Sequence, residues 1–187
     1  MMSRSMPIRL IAAAAAAIPA VMPIAASADE VFVGAYIHEV ETPFTLRTDE
    51  SGADIELGYR FEPEENLAFL GRPSPYVIAS VNTEGDTSFA GAGLSWKLGG
   101  GPVWVRPGIG LVVHDGPSER YSPVDGKRID LGSRVLFAPE IAVGIQLSKS
   151  LSVEASWVHI SHARLFNWGQ NPGIDMMGAR LTWRVGN

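Results

Sequence analysis

The chain of 187 residues contains no cysteine. That excludes disulfide staples, a thiolate nucleophile and cysteine-held metal centres. Histidine is scarce, at four residues, and two of these fall in a motif described below, so no metal site is expected. Positive charge is also short. Fifteen Lys and Arg stand against twenty Asp and Glu, a net charge of −5. A nucleic-acid partner, which needs a basic field, is therefore not expected. Long apolar runs are absent save one, Leu10 to Ile18. No later stretch reaches the roughly 18 apolar residues of a spanning helix. That leaves open a membrane crossing made of strands.

The one apolar run reads as part of an export leader. Arg4 and Arg9 supply a positive start, and Ala26-Ser27-Ala28 is a small-x-small cleavage site. Residues 1–28 are expected to be removed as a signal peptide, leaving residues 29–187. That remainder, about 160 residues, suits one domain. Losing Arg4 and Arg9 makes it more acidic still.

What the remainder does have is a period of two. Alternating segments fall at roughly 31–40, 53–61, 75–83, 87–98, 102–114, 133–147, 151–161 and 174–185. Such alternation marks a strand with one apolar face and one different face. In the fifth segment Val103, Val105, Pro107, Ile109, Leu111 and Val113 share one side, with Trp104, Arg106, Gly108, Gly110 and His114 on the other. Eight strands of about ten residues make the smallest common transmembrane barrel. A soluble lipid-binding barrel would turn the apolar face inward instead. Two features favour apolar-outward. The second face carries Gly, Ala and Ser rather than a Lys/Glu coat. It also carries both charge signs, with Glu56, Glu140 and Glu154 beside Arg60, Arg106, Arg134, Arg180 and Arg184, which can satisfy one another inside a narrow barrel. The fold expected is all-β: an eight-stranded antiparallel transmembrane barrel. Long outer loops are then expected at 41–52, 83–87, 115–132 and 162–173. Short turns lie at Gly99-Gly100-Gly101 and Ser148-Lys149-Ser150, with 62–74 an exception in length.

Three polar residues break the apolar register. Strand seven carries Val153, Ala155, Trp157, His159 and Ser161 on its lipid-facing side, and strand eight begins that side with Asp175. A polar group facing hydrocarbon costs several kcal/mol, less at the interface, so residues that violate the pattern are candidates for function. Serine becomes a nucleophile when histidine takes its proton and a carboxylate orients that histidine. Ser161, His159 and Asp175 fit those roles. Residues i and i+2 of a strand lie about 6.5–7 Å apart at Cα, so His159 and Ser161 must lean together. From the residues alone, the three are equally readable as ordinary rim residues, because H-x-S is a weak motif.

His159-Ile160-Ser161-His162-Ala163, followed by Asn171-Pro172-Gly173-Ile174-Asp175, resembles the C-terminal signature of the lipid A 3-O-deacylase (PagL-like) family. That signature is H-x-S-N-A, then N-x-G-I-E, on the last two strands of an eight-stranded outer-membrane barrel. The likeness covers roughly residues 150–187. It implies hydrolysis of the ester-linked 3-hydroxyacyl chain at the 3-position of lipid A, in the outer leaflet, without metal or cofactor. It carries the nucleophile to Ser161, the base to His159 and the acid to Asp175. Two positions depart: His162 stands for the usual Asn, and Asp175 for Glu, one methylene shorter. Oxyanion donors are expected from the backbone around His162 and Ala163 with help from Asn171. Arg164, beside the triad, is the candidate grip for lipid A phosphate. Arg47, Arg120, Lys127 and Arg128 are outer-loop charges of either phosphate-binding or merely solvated kind. Trp157, Phe166, Trp168 and Trp183 are candidates for an acyl groove or an aromatic girdle. His38 and His114 are expected to be satisfied interior side chains. The partner implied is lipopolysaccharide, with a homodimer left open. Two other functions fit the residues: a structural or adhesive barrel without activity, and a soluble periplasmic lipid-binding barrel.

Overall fold

A period of two obliges successive side chains to opposite faces of a sheet, and eight such segments close on themselves. In a computed structural model, residues 28–43, 45–163 and 171–186 are described. The strands are β1 Asp29–Ile37, β2 Ala53–Arg60, β3 Ser74–Asn82, β4 Phe89–Ser95, β5 Val103–His114, β6 Val135–Gln146, β7 Leu151–Ser161 and β8 Gly173–Val185. Each pairs antiparallel with the next, and β8 returns to β1 from Met177↔Ile37 to Val185↔Asp29. All eight expected strands are present. The expected leader falls on residues 1–27, outside the described residues, and on Ala28.

The apolar register faces out. On β5, Val103, Val105, Ile109, Leu111 and Val113 are exposed, while Trp104, Arg106 and Val112 are buried. This overturns the soluble lipid-binding alternative, which needs the opposite parity. The strands, seven to thirteen residues long, match what crosses hydrocarbon at a tilt. Among the described residues no helix is long and apolar enough to cross a membrane.

The interior is filled rather than hollow, with bulky side chains set against glycines. A Cβ on Gly58 would lie 2.1 Å from the Phe32 ring, and one on Gly144 would lie 2.3 Å from Trp104. Between them runs an ion network. Arg106 Nε donates to Glu154 at 2.8 Å, and its Nη2 to Glu30 at 3.1 Å. Arg60 donates to Glu30 at 2.5 Å. Arg180 donates to Glu140 at 2.8 Å, Ser156 at 2.9 Å and the Tyr36 hydroxyl at 2.9 Å, with Glu56 3.6 Å away. Glu56, Glu140, Glu154, Arg60, Arg106 and Arg180 are thus inside, as expected. Glu30 joins them. Arg134 does not: it precedes β6 at the loop end, exposed, and donates to the Gly116 carbonyl at 2.5 Å. Arg184 is half-buried at the opposite mouth.

The connections that follow β1, β3, β5 and β7 leave from one end of the barrel, and those that follow β2, β4 and β6 leave from the other. The long 61–73 connection contains a 3-10 helix, Glu65–Leu70, capped by Gly71 at φ 84°. The Leu70 carbonyl accepts the Trp96 indole N–H at 2.8 Å. β1 ends earlier than its alternation suggested, because Glu39 turns left-handed at φ 52° and His38 is held by carboxylates.

Removing one partner from a buried ion pair leaves an uncompensated charge. Arg180→Ala strands Glu140 and Glu56 and is expected to destabilise the barrel by roughly 3–5 kcal/mol. Urea unfolding from lipid vesicles, followed by tryptophan fluorescence, checks this. An unchanged midpoint contradicts it.

Candidate active site

The outward register of β7 ends in His159 and Ser161, and that of β8 starts at Gly173 and Asp175. The register sets His159 opposite Asp175 and Ser161 opposite Gly173. All three polar residues therefore meet at the loop end, on the outer side of the sheet. His159 Nδ1 lies 2.9 Å from Asp175 Oδ1, and its Nε2 lies 2.9 Å from Ser161 Oγ. The lean between i and i+2 side chains that alternation demanded is present.

Asp175 is fully buried, although it occupies the outward register. Its carboxylate is enclosed by four donors. Oδ1 accepts from His159 and from the Trp157 indole N–H at 2.9 Å. Oδ2 accepts from the Thr42 hydroxyl at 2.6 Å and from the Thr45 hydroxyl. An ionised carboxylate has about four acceptor sites, so all are used. Indole N–H donates only, which marks Oδ1 as an acceptor. His159 must then carry its proton on Nδ1, leaving Nε2 free to accept from the Ser161 hydroxyl. That is the arrangement a serine nucleophile requires.

Thr42 and Thr45 belong to the loop after β1, which continues the β1–β8 seam. Val40 N–H donates to the Asp175 carbonyl at 2.7 Å, and Gly173 N–H to the Leu46 carbonyl at 3.3 Å. Gly173 cannot bear a side chain here. A Cβ would meet Thr45 at 2.8 Å, the His159 ring at 2.9 Å and the Ile160 carbonyl at 2.9 Å. The one methylene missing from Asp175 is not needed, since the directly opposed strands already bring its oxygen to His159.

The other expected residues divide. His162 is buried, and Ala163 turns left-handed at φ 52°, a conformation that costs alanine about 1 kcal/mol or more. The Asn171 amide lies 3.5 Å from Ser161 Oγ. Arg164, Phe166 and Trp168 lie outside the described residues. Trp157 is part of the site, by its N–H as well as its ring, which tilts 36° against His159. Trp183 is not: eight residues further along β8, it lies about 27 Å away at strand rise, opposite Leu151 at the turn end. The remaining outer-loop cations have acidic partners: Arg47 with Glu41, Arg120 with Glu50 and Asp86, Lys127 with Asp125, Arg128 with Asp130. His114 donates Nε2–H to the Ser133 carbonyl at 2.6 Å. Among the described residues no group of three His, Asp or Glu is arranged to hold a metal ion. Sequence reading missed Thr42, Thr45 and the indole donor. No periodicity announces a loop hydroxyl, and Trp157 looked like one more lipid-facing ring.

A charged clamp holds the loop that bears the threonines. His38 Nδ1 lies 2.8 Å from Asp54, and its Nε2 lies 2.9 Å from Glu50. Both nitrogens then donate, which makes the ring an imidazolium. Burial pulls the His38 pKa down, but the bonds to Asp54 and Glu50 outweigh it and raise it to about 9. Glu50 also accepts from Thr87 N–H at 3.0 Å and from Arg120 at 2.7 Å. Burial would raise its pKa, yet His38, Thr87 and Arg120 bring it below the ordinary value. The Glu39 carboxylate gathers the backbone N–H groups of Thr48, Asp49 and Glu50.

Apolar outside, charged and filled inside, eight strands closed antiparallel: the chain is an outer-membrane β-barrel, with a Ser/His/Asp constellation on its outer side. The family model for lipid A 3-O-deacylase (PagL) matches residues 55–184. The chain belongs to that family of outer-membrane β-barrel hydrolases. The crystal structure of the outer-membrane enzyme PagL aligns with a TM-score of 0.57 at 14% identity, over 83% of this chain and 99% of that one. Neisserial surface protein A aligns with a TM-score of 0.50 at 10% identity, over 84% of this chain and 97% of that one. At such identity the two show a shared fold. No curated protein matches the sequence.

The clamp makes the first loop pH-sensitive. A histidine with a raised pKa contributes stability in full below its ordinary value of 6.5 and loses it as pH rises through about 9. Trypsin cleavage after the exposed Arg47, normalised to a short peptide, is expected to be slow at pH 7.5 and to accelerate above pH ~9. In His38→Gln it is expected to be fast and flat across that range. Identical profiles for the two proteins contradict the clamp.

Proposed function

We propose that this chain is a lipid A 3-O-deacylase that works from the outer leaflet through a serine acyl-enzyme. The observation that carries the reading is the unbroken line Asp175–His159–Ser161, two contacts of 2.9 Å each, on a face otherwise given to hydrocarbon. Ser161 Oγ attacks the ester carbonyl while His159 Nε2 takes its proton. The tetrahedral intermediate collapses as His159 returns that proton to the leaving 3-oxygen of the sugar. Water, deprotonated by the same nitrogen, then releases the 3-hydroxy fatty acid and restores the serine. Asp175 keeps the Nδ1 proton in place and stabilises the imidazolium between these steps.

The oxyanion that forms needs donors already aimed at it. Backbone N–H groups at His162 and Ala163 and the Asn171 amide fill that role, Asn171 being the side-chain donor beside the nucleophile. Family membership supports the substrate, and the outward face supports its approach: acyl chains lie along the barrel while the sugar stays at the rim. Arg164 binds a phosphate of that sugar. Export follows from a signal peptide cut near Ala28, with the long loops at the cell surface. The fold is shared with a surface protein, so it cannot decide activity by itself. A barrel without enzymatic activity is the rival.

Mass spectrometry of lipid A after incubation with folded protein separates the two. The parent is expected to remove one ester-linked 3-hydroxyacyl chain, and Ser161→Ala none. Intact lipid A with the parent makes the chain a barrel without this activity, and equal hydrolysis by both proteins removes Ser161 from the mechanism.

A further inference from the structure

The carboxylate of Asp175 is built from two directions. Its Oδ1 side is served by β7, through His159 and Trp157. Its Oδ2 side is served only from the first loop among the described residues, through Thr42 and Thr45, 133 and 130 residues away in sequence. The two hydroxyls also lie 3.1 Å from one another. Without them the Oδ2 of this fully buried carboxylate would lose its donors among the described residues, and a buried carboxylate oxygen left unpaired is heavily penalised. The carboxylate would relieve that by turning about its χ2 toward the rim, which takes Oδ1 off the His159 N–H.

The loop is set firmly enough to do this work. It is joined to β8 by Val40 and Leu46, and a parallel bridge pairs Leu46 with Pro172. It is closed on itself by the Glu39 carboxylate, and it is braced against the two following loops through Glu50, Thr87 and Arg120. Thr45 presses its methyl into the space that the absent side chain of Gly173 leaves. The hydroxyl and the methyl of this one residue thus face two parts of the same site.

Resting on the triad reading above, we propose that Thr42 and Thr45 are positioning residues for the reaction. They fix the rotation of the Asp175 carboxylate so that it holds His159 in the reactive tautomer and orientation. The first surface loop is then part of the machinery rather than a cover over it. This also accounts for a short acid. Aspartate leaves room between β8 and the loop for two hydroxyls, which a longer side chain would displace.

The test is steady-state kinetics on lipid A in mixed micelles, with full-length barrels whose folding is checked by heat-modifiable gel mobility. Thr42→Val/Thr45→Val keeps the shape and removes both hydroxyls. Its kcat is expected to fall roughly tenfold to a hundredfold, the scale of a misplaced reacting group, with KM unchanged. Thr42→Ser/Thr45→Ser, which restores both donors, is expected to keep the parental kcat. Should the double valine variant fail to fold, Thr42→Val and Thr45→Val are measured singly, each with a smaller fall in kcat expected. Parental kcat in the valine variants overturns the proposal. So does an equal loss in the serine variant, or a loss confined to KM, since these mark a packing or a substrate-contact role. Ser161→Ala is run alongside. If it hydrolyses lipid A like the parent, the triad reading itself has failed. If it is inert while the valine variants are fully active, the triad reading stands and this inference alone is lost.

Discussion

Hydrocarbon offers no hydrogen-bonding partner, and the arrangement of this barrel follows from where its polar groups find theirs. Backbone groups are paired around a closed ring of strands, which leaves no edge. Charged side chains turn inward, where Arg60, Arg106 and Arg180 meet Glu30, Glu56, Glu140 and Glu154. The outward register is left to apolar side chains, chiefly Val, Leu, Ile and Ala. Ser161, His159 and Asp175 are exceptions to that rule, and they are tolerable because they satisfy one another and because the first loop supplies the remaining donors. The same constraint that shapes the barrel thus singles out the site.

Much of this was legible in the sequence, for one reason: a period of two survives any tertiary context that has an inside and an outside. Val103 to Val113 declared their face without a structure, and the parity of β7 put His159 and Ser161 on the lipid side with Asp175 opposite. What parity cannot reach is contact between segments far apart in the chain. Thr42 and Thr45 carry no periodic signal, and their partner is on the last strand. Glu30 escaped because it sits one residue before the alternation becomes regular. Arg134 has interior parity, but β6 starts one residue later, at Val135, and the loop takes its guanidinium to the Gly116 carbonyl. β1 stops short of its alternation because His38 and Glu39, apt for a strand by pattern, are held by Asp54, Glu50 and the loop's own amides.

The departures from the family signature acquire physical sense in this setting. Aspartate in place of glutamate shortens the acid, but direct cross-strand pairing of His159 with Asp175 removes the need for reach. With His162 in place of asparagine, the side-chain amide found near Ser161 is that of Asn171, 3.5 Å from Oγ, and the proposed mechanism gives it the donor role. Gly173 is required by close approach: three groups of the site crowd the space where its side chain would be. Gly173, by its fit to Thr45, and Asp175, by its bonds to Thr42 and Thr45, tie the last strand to the first loop, so that the beginning and end of the barrel meet at one place on its rim.

What separates an enzyme from an inert barrel here is whether Ser161 is a nucleophile activated by His159 on the outside of a membrane barrel. A fluorophosphonate reagent tests it most directly, because it reacts with activated serines and does not depend on the choice of lipid. After exposure of the folded, detergent-solubilised protein, peptide mass mapping is expected to find a single adduct, on Ser161, and none in His159→Ala. No adduct on folded parent protein, or an adduct that survives the loss of His159, would contradict the account.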